Sequence, residues 1–233
     1  MSKKHKPPDS EKIIPLFPLP LVLLPFETVP LHIFEERYRQ MVSDVIADDS
    51  PFGILGIEEN SIFDEENAIG LIGCAAQIAE YKPLENGRSN IAVTGAIRFE
   101  IEDILQTPNL YTTVKVRYFD DDAPKNSASL EALNVEVSGL FYRIANAAYK
   151  LDIRTSFAPE IPKSEPEVLS FLVCAALNLP TETKSRMLFL RDTATRLEFV
   201  KAELQKLLPE MEEKASNADK AKTNGHFKHY SKD

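Results

Sequence analysis

Tryptophan is absent from the 233-residue sequence, cysteine occurs twice, and acids outnumber bases, 36 Asp and Glu against 27 Lys and Arg. The net charge of −9 argues against extended contact with nucleic-acid phosphate, which needs a basic footprint. Cys74 and Cys174 each stand among apolar neighbours, far apart in the chain. They read as buried free thiols in a reducing compartment rather than as a disulfide. The leading MSKKHKPPDSEK is basic but has no apolar core of the kind a secretory signal carries. The most apolar stretch, residues 13–42, is broken by Pro15, Pro18, Pro20, Pro25 and Pro30. Each proline removes a backbone donor and obstructs the preceding turn, so the stretch is no membrane helix. These absences predict a soluble, cytoplasmic protein with no membrane partner and no nucleic-acid partner.

Catalytic signatures are missing as well. There is no G-x-x-x-x-G-K-[ST] to cradle phosphate and no G-x-S-x-G elbow. Neither C-x-x-C nor H-E-x-x-H occurs, which leaves no zinc site of those kinds. A Ser–Lys pair is not excluded by spacing alone. The reading is of no catalytic residues, no metal and no cofactor. An apolar fraction of 43% with 27% charged residues is ordinary for a globular protein of one large or two small domains.

What is present is organised around residues 13–42. The proline-rich part reads as extended chain, an edge strand or an irregular first strand pair. The period then changes. Phe34, Tyr38, Met41, Val42 and Val45 recur at spacings of three and four, one face of a helix, with Glu35, Glu36, Arg37 and Arg39 on the other side. Farther on, FGILGI at 52–57 is a short strand, and Glu58, Glu59, Asp64, Glu65 and Glu66 make a solvated acidic loop. Residues 68–82 read as a buried strand, with Asn86-Gly87 as a hairpin turn. Ile91, Val93, Ile97, Phe99 and Ile101 alternate with Thr94, Arg98, Glu100 and Glu102. Leu110 to Tyr118 repeat the pattern, which predicts half-buried antiparallel strands. From Leu130 onward the period is helical, through about four helices, the last capped by Asp192.

The pieces PLFPL at 15–19, VLLP at 22–25, VPLHIFEERY at 29–38 and FGILGI at 52–57 resemble the opening of the Lon-protease N-terminal, substrate-binding domain. LDIR at 151–154, PEIP at 159–162, SFLVCAALNLP at 170–180 and TKSRMLFLRDTATRLEFVKAEL at 183–204 resemble its helical part, in the same order. Where that family often has glycine after the LFP-like turn, this chain has Phe26-Glu27. The combined expectation is an α+β fold: a mostly antiparallel, pseudo-barrel-like β domain over 13–122 and a helical subdomain over 127–208. Residues 1–12 are expected to be a disordered lead and residues 209–233 a disordered tail.

The resemblance implies a non-enzymatic, stand-alone module that binds unfolded or flexible polypeptide and serves a protease or chaperone partner. The family's ATPase and Ser–Lys peptidase lie in segments this chain lacks. Two alternatives remain open, a Lon-type peptidase and a PUA-like RNA binder. The candidate peptide-binding residues are Phe26, Phe34, Arg37 and Tyr38, with Phe26 and Phe34 expected to line one wall of a groove; the plainer reading of the same residues has Arg37 paired with a nearby carboxylate, Tyr38 packed on the helix face and Phe26 filling space between the halves. The near-consecutive apolar side chains from Leu16 to Phe26 are expected to leave an exposed patch, or to pack on the helical half. Three other features read as structural. His32 has no nucleophile or acid placed beside it, Asp120–Asp122 lacks further oxygen ligands at a defined spacing, and His226-x-x-His229 falls in the tail.

Overall fold

A computed structural model describes residues 11–59, 61, 63–151 and 163–226. The elements in chain order are β1 (Glu11–Leu19), β2 (Thr28–Ile33), α1 (Glu36–Ala47), β3 (Phe52–Gly56), β4 (Ile72–Pro83), β5 (Ser89–Leu105), β6 (Thr113–Phe119), α2 (Ser127–Leu151), α3 (Pro166–Ala176), α4 (Thr181–Phe189) and α5 (Thr193–His226).

The strands form one sheet in the order β2-β5-β4-β3-β1-β6, and β6 also pairs with β5. The ring β5-β4-β3-β1-β6 therefore closes on itself, which removes most free edges, and β2 is added outside it. Five of the six strand pairings are antiparallel; β1 with β3 is parallel. The long strand β5 makes closure possible. Its first half pairs with β2 and its second half with β6, while β4 runs along it on the other side.

Of the two expectations for the proline-bearing strand, the edge strand is not what forms: β1 is an interior strand with an irregular pairing. Residues 11–15 pair with β6 and residues 16–19 with β3. The ladder partner changes after Pro15, with Leu16 N alone still reaching Thr112 O at 2.9 Å, so most of each half bonds on one side only and the missing proline donors are tolerated. The barrel core gathers Ile14, Leu16, Leu55, Phe99, Val114 and Val116. Phe99 lies against glycine: a Cβ at Gly73 would stand 2.4 Å from its ring and one at Gly53 2.7 Å.

The chain divides into two compact units, residues 1–122 with 174–191, and residues 123–173 with 192–233. The sequence reading placed every helix after residue 127 in one half, whereas α4 belongs with the barrel. Arg98 explains the recruitment. The alternation assigned it to the polar face, yet it is 2% exposed. Its guanidinium donates to the carbonyls of Leu188 at 3.1 Å and Leu190 at 2.9 Å and pairs with Asp121. Asp120–Asp122 is thus no simple solvated loop: Asp121 is buried in that pair, and the Asp122 amide bonds Arg191 O.

In the second unit, α2 buries Val137, Ile144 and Ala147, and α5 buries Leu197, Val200, Leu204 and Leu208. Arg196 is fully buried, donating to Ser170 Oγ at 2.7 Å with its guanidinium 3.8 Å from the Phe171 ring centre. The expected disordered tail is corrected over 209–226, where α5 continues through Pro209. Ala215 is 4% exposed, seven residues after buried Leu208 and so on the same face. Arg143 also pairs with Glu212 at 2.7 Å. The stripe continued through a small residue that hydrophobic periodicity underweights. At the other end, Glu11 and Lys12 open β1 rather than lying in a disordered lead. Residues 1–10, 152–162 and 227–233, His229 among them, lie outside the described residues.

Candidate functional site

Both cavities described below are lined wholly by residues of the first unit. The segment joining β1 to β2 shapes one of them. Leu24-Pro25-Phe26-Glu27 is a tight turn closed by the Glu27 amide on Leu24 O at 3.1 Å. Pro25 suits the second position of a type II turn; the third needs a positive φ and usually takes glycine. Phe26 occupies it at φ 65°. The turn sits on Gly95, whose Cβ would stand 2.2 Å from Leu24 O. Phe26 N donates to Gly95 O at 2.8 Å and Gly95 N to Glu27 O at 2.9 Å. The Glu27 carboxylate accepts the Leu24 amide and pairs with Lys184 of α4.

That pair borders a cavity of about 350 Å³, walled by Leu21, Val22, Val29, Leu177 and Leu179. Of the near-consecutive apolar side chains in this stretch, Phe26 is 40% exposed and most of the others are buried. Leu16, Phe17, Val22, Leu23 and Leu24 are at most 5% exposed.

A second cavity, of about 370 Å³, opens beside α1. Pro18, Arg37, Tyr38, Ile57, Ser61, Phe63, Glu65 and Thr112 line it. Tyr38 is buried, its ring centre 4.0 Å from that of Phe17. Burial raises its hydroxyl pKa, partly offset by Arg37, so Tyr38 stays neutral. The Arg37 guanidinium lies 4.5 Å from the Tyr38 ring centre and pairs with Glu35 at 2.9 Å. On the opposite wall, Glu65 accepts the Thr112 hydroxyl at 2.9 Å. The result is an apolar floor with one half-exposed cation and one carboxylate at the mouth.

The structure brings Arg37 and Tyr38 together on this wall and leaves Phe26 and Phe34 elsewhere. Phe34 is 57% exposed, precedes α1 instead of joining its buried face, and stacks on His32 at 5.9 Å. The six residues of β2 stand between Phe26 and Phe34, a span of roughly 16 Å or more. The turn borders the first cavity through Glu27, and neither Phe26 nor Phe34 lines either of these two cavities. His32 is exposed on β2 and bonds Asn90 Oδ1 at 2.7 Å, so it is no core histidine. Among the described residues no group of three or more His, Cys, Asp or Glu could hold a metal ion, and no helix is long and apolar enough to cross a membrane.

Sequence reasoning missed Ile57, Phe63, Glu65, Lys184 and Leu177. Phe63 carried a signal, a lone aromatic side chain inside an acidic loop. Nothing local marked Lys184, which meets Glu27 from 157 positions away.

The family model described as the ATP-dependent protease La (LON) substrate-binding domain matches residues 13–206. Two similar proteins are Lon proteases, from Roseiflexus castenholzii (28% identical over 86% of this chain) and Flavobacterium johnsoniae (23% over 83%). The chain spans about a quarter of the length of these curated relatives (25% and 24%). Among solved structures, the fold resembles the N-terminal domain of Mycobacterium avium complex Lon protease, with a TM-score of 0.61 and 18% identity, covering 83% of this chain and 98% of that one. It also resembles a Lon N-terminal domain protein from Xanthomonas campestris, with a TM-score of 0.57 and 21% identity, covering 82% and 98%.

Proposed function

The chain belongs to the family of ATP-dependent protease La (LON) substrate-binding domains, and from that premise we propose that it is a non-enzymatic module that holds flexible polypeptide at the cavity beside Arg37 and Tyr38. The observation that carries this reading is the apolar floor of Pro18, Tyr38, Ile57 and Phe63 beneath a half-exposed arginine. An apolar side chain entering it leaves water, and Arg37, with N–H groups beyond those on Glu35, can meet a backbone carbonyl. A cavity of this size is at the lower end for a small-molecule site and suits one large side chain. Polypeptide held in this way would be handed to a protease or chaperone, in the cytoplasm.

The test is anisotropy with a labelled, permanently unfolded protein. Ser61→Trp should fill the mouth of the cavity from an exposed position. Binding should fall at least tenfold while the thermal midpoint stays put. Unchanged affinity in that variant would exclude this cavity. The purified chain should hydrolyse neither ATP nor casein. Casein cleavage that disappears on replacing one Ser or Lys would instead favour the peptidase reading.

A further inference from the structure

The loop between β3 and β4 places Ser61, Phe63 and Glu65 on the cavity beside Arg37. From Ile57 to Leu71 this loop contains Glu58, Glu59, Asp64, Glu65 and Glu66 and no Lys or Arg, and all five acids are exposed. The cation on the opposite wall, Arg37, is already paired with Glu35. The loop that brings Ser61, Phe63 and Glu65 to the cavity is thus strongly negative, with Glu65 on the cavity itself and Glu58, Asp64 and Glu66 next to lining residues in sequence, whereas the helix side holds the Glu35–Arg37 pair. We propose that this cavity selects polypeptide in which a large apolar residue is flanked by lysine or arginine, the loop acids meeting the flanking cations.

The geometry suits an extended occupant. With its apolar side chain in the cavity, neighbours one or two positions away lie within about 7 Å of the anchor. That is inside the screening distance of about 8 Å at physiological salt. Two of the five acids have other duties: Asp64 accepts the Glu66 amide and the Asn67 side chain, and Glu65 accepts Thr112. Glu58, Glu59 and Glu66 have exposed side chains committed to neither bond. Like charge would turn away acid-flanked segments, so the loop acids would act in discrimination more than in total affinity. This inference rests on the peptide-binding reading above and narrows its substrate class.

The experiment uses the full chain and three fluorescein-labelled peptides of equal length, each with a central Phe-Leu flanked by Lys, Ser or Glu. Lys-flanked peptide should bind about tenfold more tightly than Glu-flanked peptide at low salt, with the gap closing at high salt. A triple variant, Glu58→Gln, Glu59→Gln and Glu66→Gln, should lose this preference yet keep wild-type affinity for the Ser-flanked peptide. Equal binding of the Lys and Glu peptides by the wild type would overturn the inference and leave the peptide-binding reading standing. So would a preference that survives in the triple variant. Failure of all three peptides to bind would overturn both.

Discussion

Phe26 holds a backbone conformation that its side chain opposes. At φ 65° an L-residue sets its Cβ against the following carbonyl, a strain of about 1–2 kcal/mol that glycine escapes. Glycine also has more chain entropy to lose on folding, by roughly 0.5–1 kcal/mol. Phe26→Gly is therefore expected to raise unfolding free energy by up to about 1 kcal/mol, read from urea melts. Gly95→Ala should act oppositely and strongly, since its Cβ would sit 2.2 Å from Leu24 O. A lower stability for Phe26→Gly would mean that the half-exposed phenyl ring contributes packing that outweighs the strain.

Among the elements, β2 shows how an unpaired edge is managed. The Gly95 amide bonds Glu27 O, and the register continues through Val29↔Val93 and Leu31↔Ile91. With a period of two, Thr28, Pro30 and His32 turn their backbone groups away from β5. Pro30 thus loses no ladder bond and leaves a gap in the free edge, a device against strand addition. Pro30→Val should change the melt little but produce concentration-dependent self-association in sedimentation; a strictly monomeric variant would count against the blunted-edge reading.

Helix α5 starts on Asp192, whose Oδ1 accepts the Thr195 amide at 2.8 Å. That bond lowers the Asp192 pKa below its ordinary value of 3.8. A carboxylate depressed in the folded state adds stability above its unfolded pKa, and the contribution fades as pH falls through the folded one. Asp192→Ala should then cost about 1 kcal/mol at neutral pH and distinctly less near pH 3. An equal penalty at both pH values would argue that the ionised cap is not what stabilises the helix.

At the scale of the whole molecule, the barrel strands, which lie within residues 11–119, share one compact unit with residues 174–191. Arg98 and Glu27 hold partners on that returning segment. A fragment comprising residues 11–122 would leave Arg98 buried without the Leu188 and Leu190 carbonyls. The loss is on the order of 3 kcal/mol or more, at the 1.5–3 kcal/mol typical of each hydrogen bond to a charged group. We expect that fragment to give a broad, early melt, and the same fragment rejoined to 174–191 by a flexible linker to regain a sharp one. Equal melts would place the fold's stability entirely within the strands.

Much of this was legible in the chain. Alternation from Ile91 to Ile101 marked a strand, Asn86-Gly87 its hairpin, and Asp192 a helix start, because each signal depends on neighbours within a few residues. The order of the Lon-like pieces was legible for the same reason, and with it the family. Of the candidate site, Arg37 and Tyr38 were legible as an arginine and a tyrosine at the start of an amphipathic helix. Only the tertiary structure decided that Ile57, Phe63 and Glu65 stand opposite them, that Phe26 and Phe34 lie at opposite ends of β2, and that Arg98 points inward. Those outcomes depend on barrel closure and on contacts such as Glu27 with Lys184, across 157 positions. Periodicity reports which face of an element prefers water. It carries no term for which distant carbonyl or carboxylate will arrive to take a buried charge, and here such arrivals brought α4 to Arg98 and Lys184 to the first cavity.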